Sequence, residues 1–262
     1  ATDTQPEEKS SEIAAAEPYF IGSHSGASGA WVSGPKDLAP PEYCWGPENM
    51  TTTKSLFAAG DASGASSHKF SSGSTTEGRI TGKAMARYVV QDKPEMPKVD
   101  AATVEKLKER TLKPLKLYAD TVDKSTQPDV NPNYIIPKMY MMRMQKLMDE
   151  YAAGVSAQFM TSEPNLKRAL ELLKLLKEDG EKLGASDLHQ LMRAWENKHR
   201  TMQAEAHVKA MLFREETRWP GYYFRSDKPK MEKDWLAFVN QSYDPKTGEW
   251  EMKKVPMKYL FA

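Results

Sequence analysis

Two stretches of this sequence combine small residues with side chains that can bind an anion. Residues 60–84 read GDASGASSHKFSSGSTTEGRITGKA, and residues 22–31 read GSHSGASGAW, with His24 among glycines and serines. Small residues let a backbone approach a bulky group, and a histidine that titrates near neutrality can hold an anion. Because Gly and Ser are also ordinary loop residues, either stretch alone fits a plain connection. The two together favour a pocket for a cofactor and an anion.

The chain around the longer stretch predicts the elements that position it. The sequence SLFAAG at 55–60 is short and apolar, which is typical of a buried strand. From about Ser74 the pattern becomes helical, so the stretch joins a strand end to a helix N-terminus. Such a junction presents unpaired N–H groups and the positive end of the helix dipole, which suit an anion or an electron-rich carbonyl. Asp61 can accept hydrogen bonds from sugar-like hydroxyls. The predicted inward face of the helix is Ile80, Ala84, Met85 and Tyr88.

Residues 98–215 are predicted to form helices, because apolar residues recur at three- and four-residue steps. Pro114 is expected to kink or interrupt the first helix, and Pro137 to lie in the first turn of the second. The five methionines between Met139 and Met148 fit a core role better than an adaptable partner surface. The predicted inward stripes are Val104, Leu107, Thr111, Leu115, Tyr118 and Val122 in the first helix, and Leu166, Leu170, Leu173 and Leu176 in the third.

The fourth helix of this region is expected to follow Gly180 and Gly184, near which the third helix ends. Ser186 is its predicted N-cap. Its predicted inward residues are Leu188, Leu191, Trp195, His199 and Met202.

The composition excludes several classes of protein. A hydrophobic content of 39% and a charged content of 28% indicate a globular chain rather than a disordered one. The net charge of +1 argues against a general polyanion-binding surface, so we expect no nucleic-acid partner. The single cysteine, Cys44, excludes an internal disulfide framework and points to a reducing compartment. Since an iron–sulfur cluster typically needs about four cysteine thiolates, any cluster must belong to another chain, and we expect no metal site here.

The chain also lacks targeting signals that can be read from sequence. No apolar run approaches the ~18 residues of a membrane span, and the start of the chain has no signal-peptide pattern. We therefore expect a cytoplasmic location. Composition divides the chain into residues 1–97, 98–215 and 216–262, with the proline-containing QDKPEMPK at 91–98 marking the first boundary.

Four segments closely resemble the flavoprotein alpha subunits of the dissimilatory adenylylsulfate reductases. They are YFIGSHSGASGAWVSGP at 19–35, TTTKSLFAAGDASGASSHKFSSGS at 51–74, REETRWPGYYFRSDKP at 214–229 and YDPKTGEWEMKKVP at 243–256. The resemblance runs from about Ala14 to near the end of the chain. A more distant resemblance is to the fumarate reductase and succinate dehydrogenase flavoprotein superfamily.

The resemblance implies an α+β fold. Residues 1–97 would be the C-terminal part of an FAD-binding α/β domain with the end of a capping region, and 98–215 a helical domain. Residues 216–262 would be an irregular, aromatic-rich tail that packs on the flavin domain or on a partner subunit. The family's GxGxxG turn and its capping region are missing. We therefore expect the C-terminal part of a longer subunit, inactive by itself.

The resemblance also implies where FAD would lie. The strand end at Gly60 matches the family's contact with the ribityl region, and the helix start matches its contact with the flavin N1/C2=O edge. A helix N-terminus there would stabilise negative charge on reduced flavin. Phe70 would pack near the isoalloxazine or the adenine. The implied cofactor-binding residues are Gly60, Asp61, Phe70, Ser72, Gly73 and Ser74.

Two further residues are implied to act on the substrate. His24 matches the histidine that contacts the substrate anion, so it would be catalytic and would bind sulfite or the sulfate end of adenylylsulfate. Arg218 matches a tail motif near the flavin domain, but a structural ion pair explains it at least as well. Where the dicarboxylate enzymes carry an arginine, this chain reads HKFSSGS at 68–74 and lacks that bidentate clamp for a carboxylate.

The implied reaction is the reversible two-electron reduction of adenylylsulfate to AMP and sulfite. FAD would be held mostly by a missing N-terminal part, and an iron–sulfur beta subunit would carry [4Fe–4S] clusters. Indirect contact with a membrane electron-transfer complex stays open. One alternative is a fumarate reductase or succinate dehydrogenase type of flavoprotein, which the missing arginine disfavours. Another is a non-enzymatic helical interaction module, which would explain residues 98–215 but not the two loops.

Overall fold

The computed structural model describes residues 29–64, 71–126, 130–218 and 223–256. The chain divides into two compact units, Ala1–Pro94 and Glu95–Ala262. Helices and strands both occur, which confirms a mixed helical and β fold. None of the helices in the described ranges combines the length and the apolar character that a membrane crossing requires.

The first unit contains the helix predicted after the longer small-residue stretch. This helix, α1, spans Ser71–Arg87 and continues into a π-helical turn at Tyr88–Asp92. Ala84 and Tyr88 are buried as predicted, whereas Met85 is 45% exposed, so its predicted inward position is wrong. Threonine, not methionine, completes the buried side, because Thr81 is only 7% exposed.

The buried strand predicted at 55–60 is wrong. Ser55 has a φ of 68°, and the N–H of Leu56 donates to the Thr53 carbonyl, so a turn interrupts the extended chain. Leu56 is 56% exposed. Only Phe57 pairs, in an isolated antiparallel bridge with Met50, and a 3₁₀ turn follows at Gly60–Ala62. The segment is therefore apolar but does not form a strand of a sheet.

The second unit contains four α-helices among its described residues. They are α2 at Ala101–Thr121, α3 at Pro137–Tyr151, α4 at Glu163–Asp179 and α5 at Leu188–Phe213. Pro137 begins α3, which confirms its predicted place in a first turn. Pro114 does not interrupt α2, which runs through it. Val104 and Leu107 on α2 are 36% and 51% exposed, so the inward stripe predicted for this helix is wrong over its first half.

The α4 stripe was predicted correctly, whereas the α5 stripe was not. Leu166, Leu173 and Leu176 are 5% exposed or less. On α5, Leu191 is buried, but Leu188 and His199 are exposed. The N-cap is Asp187 rather than Ser186, because the Asp187 carboxylate accepts from the Gln190 N–H at 2.8 Å. The buried side of α5 consists of Leu191, Ala194, Asn197, Thr201, Val208 and Met211.

Polar residues of this helix face lie inward because most of their hydrogen-bonding groups find partners in the core, although the buried Asn197 Oδ1 has none among the described residues. The Asn197 amide donates to the Pro137 carbonyl at 2.7 Å. The hydroxyls of Thr201 and Tyr140 lie 2.9 Å apart, and Tyr140 is 1% exposed. Buried polar groups that are paired in this way carry little desolvation penalty. Tyr140 belongs to a core cluster in which α3, α4 and α5 pack apolar side chains such as Met144, Leu176 and Ala194.

The strands of the second unit form two small sheets. Strands β1, at Met160–Thr161, and β2, at Phe224–Arg225, pair in parallel. Strands β3, at Ala237–Asp244, and β4, at Glu249–Pro256, form an antiparallel hairpin in which Tyr243 faces Trp250. The expected irregular tail is therefore wrong for these residues. The turn chemistry explains the hairpin, because the Asp244 carboxylate accepts from the Lys246 N–H and Gly248 takes a φ of 76°.

Candidate functional site

The predicted cofactor residues that the structure describes lie on two adjoining pieces of the first unit. Gly60 and Asp61 begin the 3₁₀ turn, and residues 72–74 lie in the first turn of α1. The two pieces touch, because a Cβ added at Gly60 would lie 3.0 Å from the Ser74 Oγ. Gly60 also has a φ of +61°, which glycine adopts without strain. The structure therefore brings Gly60, Asp61, Ser72, Gly73 and Ser74 into one region.

The ends of the two small-residue stretches meet at the same turn. The Ala30 N–H donates to the Ala62 carbonyl at 2.8 Å, and the Gly64 N–H donates to the Ala30 carbonyl at 2.9 Å. A Cβ at Gly29 would lie 2.6 Å from the Gly64 nitrogen, so only glycine fits there. His24 and Phe70 lie outside the described residues. The described ends of the two stretches are nevertheless joined by main-chain hydrogen bonds.

Polar side chains connect α1 to the Gly60 turn and to Asn49. The Glu77 carboxylate accepts from the Gly60 N–H at 2.7 Å. One helical turn further on, the Thr81 hydroxyl accepts from the Asn49 amide, also at 2.7 Å. Sequence patterns did not predict Glu77 and Thr81, because only apolar residues were assigned to the inward face of this helix. A signal was present, since Glu77 and Thr81 follow the predicted site residue Ser74 at helical spacing.

The chemistry of this region fits a ligand with electron-rich oxygens. The first N–H groups of an α-helix have no partner within the helix, and the helix dipole adds a partial positive charge. The first turn of α1 contains no acidic residue that would repel such a ligand. Asp61 and Ser72 are exposed, and Gly73 is half-buried. A carbonyl edge could therefore approach the helix start while hydroxyls approach the neighbouring turn.

Arg218 lies in the second unit, in an ion-pair cluster. Its Nε and Nη2 donate to the two carboxylate oxygens of Glu216 at 2.7 and 2.9 Å. Arg214 donates to the same carboxylate at 2.7 Å, and so does the Glu232 N–H at 3.0 Å. Burial favours a higher pKa for Glu216, which is 0% exposed, but these hydrogen bonds outweigh burial and lower the pKa. The structure therefore contains the ion pair that was the alternative explanation of Arg218.

Two open cavities lie away from these residues. One, of about 470 Å³, is lined in the first unit by residues that include Lys36, Glu48, Arg87 and Tyr88. The other, of about 570 Å³, lies in the second unit between α3 and α5 and is lined partly by methionines of α3. Neither lining includes a residue predicted to bind cofactor or substrate. Among the described residues, no group of His, Cys, Asp and Glu side chains is arranged to hold a metal ion.

The chain is similar to known proteins over part of their length. The chain is 44% identical to the adenylylsulfate reductase subunit alpha of Megalodesulfovibrio gigas, over 98% of this chain and 40% of that subunit. It thus spans about two fifths of the length of that relative. No protein-family model matches the chain.

Solved structures give the same relationship. The adenylylsulfate reductase of Archaeoglobus fulgidus is 53% identical, with a TM-score of 0.87 over 92% of this chain and 38% of that one. An adenosine-5-phosphosulfate reductase structure with sulfite as a covalent adduct matches equally well. The Sdh1 complex of Mycobacterium smegmatis is 22% identical, with a TM-score of 0.56 over 79% of this chain and 34% of that one, and this likeness concerns the fold alone.

The sequence resembles adenylylsulfate reductases closely and the succinate dehydrogenase flavoproteins distantly. The solved structures rank in the same order, with 53% identity to the first and 22% to the second. Over the length that it spans, the chain is a close homologue of adenylylsulfate reductase alpha subunits.

Proposed function

We propose that this chain is part of the alpha subunit of an adenylylsulfate reductase. The enzyme would catalyse the reversible two-electron reduction of adenylylsulfate to AMP and sulfite in dissimilatory sulfur metabolism. The observation that carries the proposal is the 53% identity and the TM-score of 0.87 to a solved enzyme of this name. The relative with bound sulfite supports the same substrate class.

FAD is the proposed cofactor, and the described residues fit it. Gly60 and Asp61 would contact the ribityl region, and the N–H groups at Ser72, Gly73 and Ser74 would face the N1/C2=O edge. FAD, when bound, supplies the two-electron redox chemistry. The α1 N-terminus would stabilise negative charge on the reduced flavin through preorganised N–H groups and the helix dipole. The absence of an acidic residue from that first turn supports this role.

The substrate would be held by the small-residue stretch at 22–31, which contains His24. His24 would hold and orient the sulfur group through a positive or hydrogen-bonding imidazole, and Phe70 would pack near the isoalloxazine or the adenine. The pairing of Ala30 with Ala62 supports this arrangement, because it joins the end of the His24 stretch to the Gly60 turn. Arg218 is the weaker candidate, since the buried Glu216 already engages its guanidinium group.

A partner subunit would complete the electron path. We propose an iron–sulfur beta subunit that carries [4Fe–4S] clusters, since Cys44 alone cannot supply the thiolates of a cluster. Indirect contact with a membrane electron-transfer complex and a cytoplasmic location belong to the same proposal. So does the division into an FAD-domain part at 1–97, a helical domain at 98–215 and a tail at 216–262.

The two alternatives have less support. A succinate dehydrogenase or fumarate reductase activity would need a carboxylate clamp, and residues 68–74 contain no arginine for it. A purely helical interaction module would leave the hydrogen-bonded turn of the first unit unexplained.

The test is AMP-dependent oxidation of sulfite, with ferricyanide as acceptor, by the native full-length complex that contains this chain. Activity that needs both AMP and sulfite is the expected result. Succinate oxidation by the same preparation is the matched control. A complex that binds flavin, oxidises succinate and ignores sulfite would contradict the proposal and favour the dicarboxylate enzymes.

A further inference from the structure

One hydrogen bond ties the Gly60 turn to the body of α1. The Glu77 carboxylate accepts from the Gly60 N–H at 2.7 Å, across 17 positions of sequence. Gly60 is buried, so its N–H would lose a strong partner if the carboxylate were removed. Because the acceptor is ionised, this hydrogen bond is stronger than one between neutral groups.

Glu77 lies between two other contacts on the same helix face. Ser74, one turn before it, is the residue on which Gly60 packs. Thr81, one turn after it, accepts from Asn49 and lies further from the helix N-terminus. The Glu77 bond therefore fixes the turn beside the proposed flavin-facing residues. The Thr81 bond fixes a different part of the chain to the same helix.

We infer that Glu77 is a positioning residue for FAD. It holds the Gly60–Asp61 turn in register with Ser72, Gly73 and Ser74, so that both pieces meet the flavin at once. This inference rests on the proposed flavin site. It depends chiefly on the reach of an oxygen acceptor at residue 77, and the negative charge only strengthens the bond to the neutral N–H. A shorter acid should therefore fail where a neutral side chain of the same length succeeds.

The test uses the full-length alpha subunit in its native complex, with FAD removed and titrated back. Glu77→Ala and Glu77→Asp should each raise the Kd for FAD about tenfold, as expected for loss of one charged hydrogen bond. Glu77→Gln keeps an oxygen at the same reach and should stay within about threefold of wild type. Thr81→Val is the matched control. It should lower the unfolding temperature and leave the Kd for FAD unchanged.

The possible outcomes are distinct. Wild-type FAD affinity in Glu77→Asp would overturn the inference, because reach would then be irrelevant. An equal rise in Kd for Thr81→Val would also overturn it, since Glu77 would then act only through general stability. If Glu77→Ala does not fold, the comparison between Asp and Gln at this position decides. A wild-type complex that binds no FAD would instead refute the proposed function itself.

Discussion

The guanidinium group of Arg218 and the carboxylate of Glu216 lie side by side, joined by two hydrogen bonds of 2.7 and 2.9 Å. The carboxylate is fully buried, and Arg214 reaches the same group while also donating to the carbonyls of Trp235 and Ala237. The cluster therefore links the end of α5 to the segment that begins the β3–β4 hairpin. We therefore expect the cluster to stabilise the folded protein.

Glu216→Gln should destabilise the protein by about 3 kcal/mol, because two arginines would lose their buried counter-charge. The measurement is the thermal unfolding midpoint of the full-length complex, which should fall by several degrees. The neighbouring Glu215 provides the control, since it is 58% exposed and only pairs with Lys228 at 3.8 Å. Glu215→Gln should leave the midpoint nearly unchanged. Equal effects from the two variants would contradict the role given to the cluster.

Acid should remove the stability that Glu216 contributes. Its pKa in the folded protein lies below the ordinary value of 4.5, so the folded state binds this proton less readily than the unfolded state does. The contribution is therefore present above about pH 4.5 and is lost as the pH falls through the lower folded pKa. The difference in unfolding midpoint between wild type and Glu216→Gln should shrink below pH 4.5. A difference that stays constant from pH 7 to acid would be incompatible with this linkage.

Gly60→Ala should disturb the candidate site. The new Cβ would meet the Ser74 Oγ at 3.0 Å, and the φ of +61° disfavours any side chain. We expect a loss of about 1 kcal/mol or more in stability and a lower FAD content, measured from the visible absorbance of the purified complex. Gly82→Ala on the same unit is the control, because its Cβ would meet no atom within 4 Å. It should be neutral or stabilise α1 by about 0.5–1 kcal/mol.

His24→Ala should separate catalysis from flavin binding. In the full-length complex we expect sulfite oxidation to fall by about 100-fold or more, as for loss of a group that orients the reacting centre. The FAD content should stay near that of wild type. His189→Ala, at an exposed position at the start of α5, is the control and should keep full activity. Unchanged turnover in His24→Ala would remove this histidine from the mechanism.

Helical periodicity predicted the parts of the fold that bury apolar side chains on one face. The α4 stripe is the clearest case, because Leu166 and Leu173 are almost completely buried. The same reasoning failed on α5, where Asn197 and Thr201 face the core and hydrogen-bond there. Polar residues with buried partners cannot be recognised from hydrophobicity, since the partner lies far away in sequence.

The candidate site shows the same limit. Residue type and family resemblance predicted Gly60 and the residues at the start of α1, and the structure brings these together. Glu77 was not predicted, because its bond to Gly60 depends on a turn where a strand end was expected. Local sequence predicted the helix, but the path of the chain before it was set by the φ of Ser55 and by main-chain hydrogen bonds.

The contact between Ala30 and the residues around Ala62 uses only main-chain atoms. Replacing either alanine with another residue of ordinary backbone preference leaves every donor and acceptor of this contact in place. Proline at position 64 would not, because it removes the N–H that donates to Ala30. At these two alanines the junction can therefore tolerate a change of side chain while its geometry stays fixed. Substitution to alanine would disturb it only at Gly29 and Gly64, where a new Cβ would come within 3 Å of the opposite main chain.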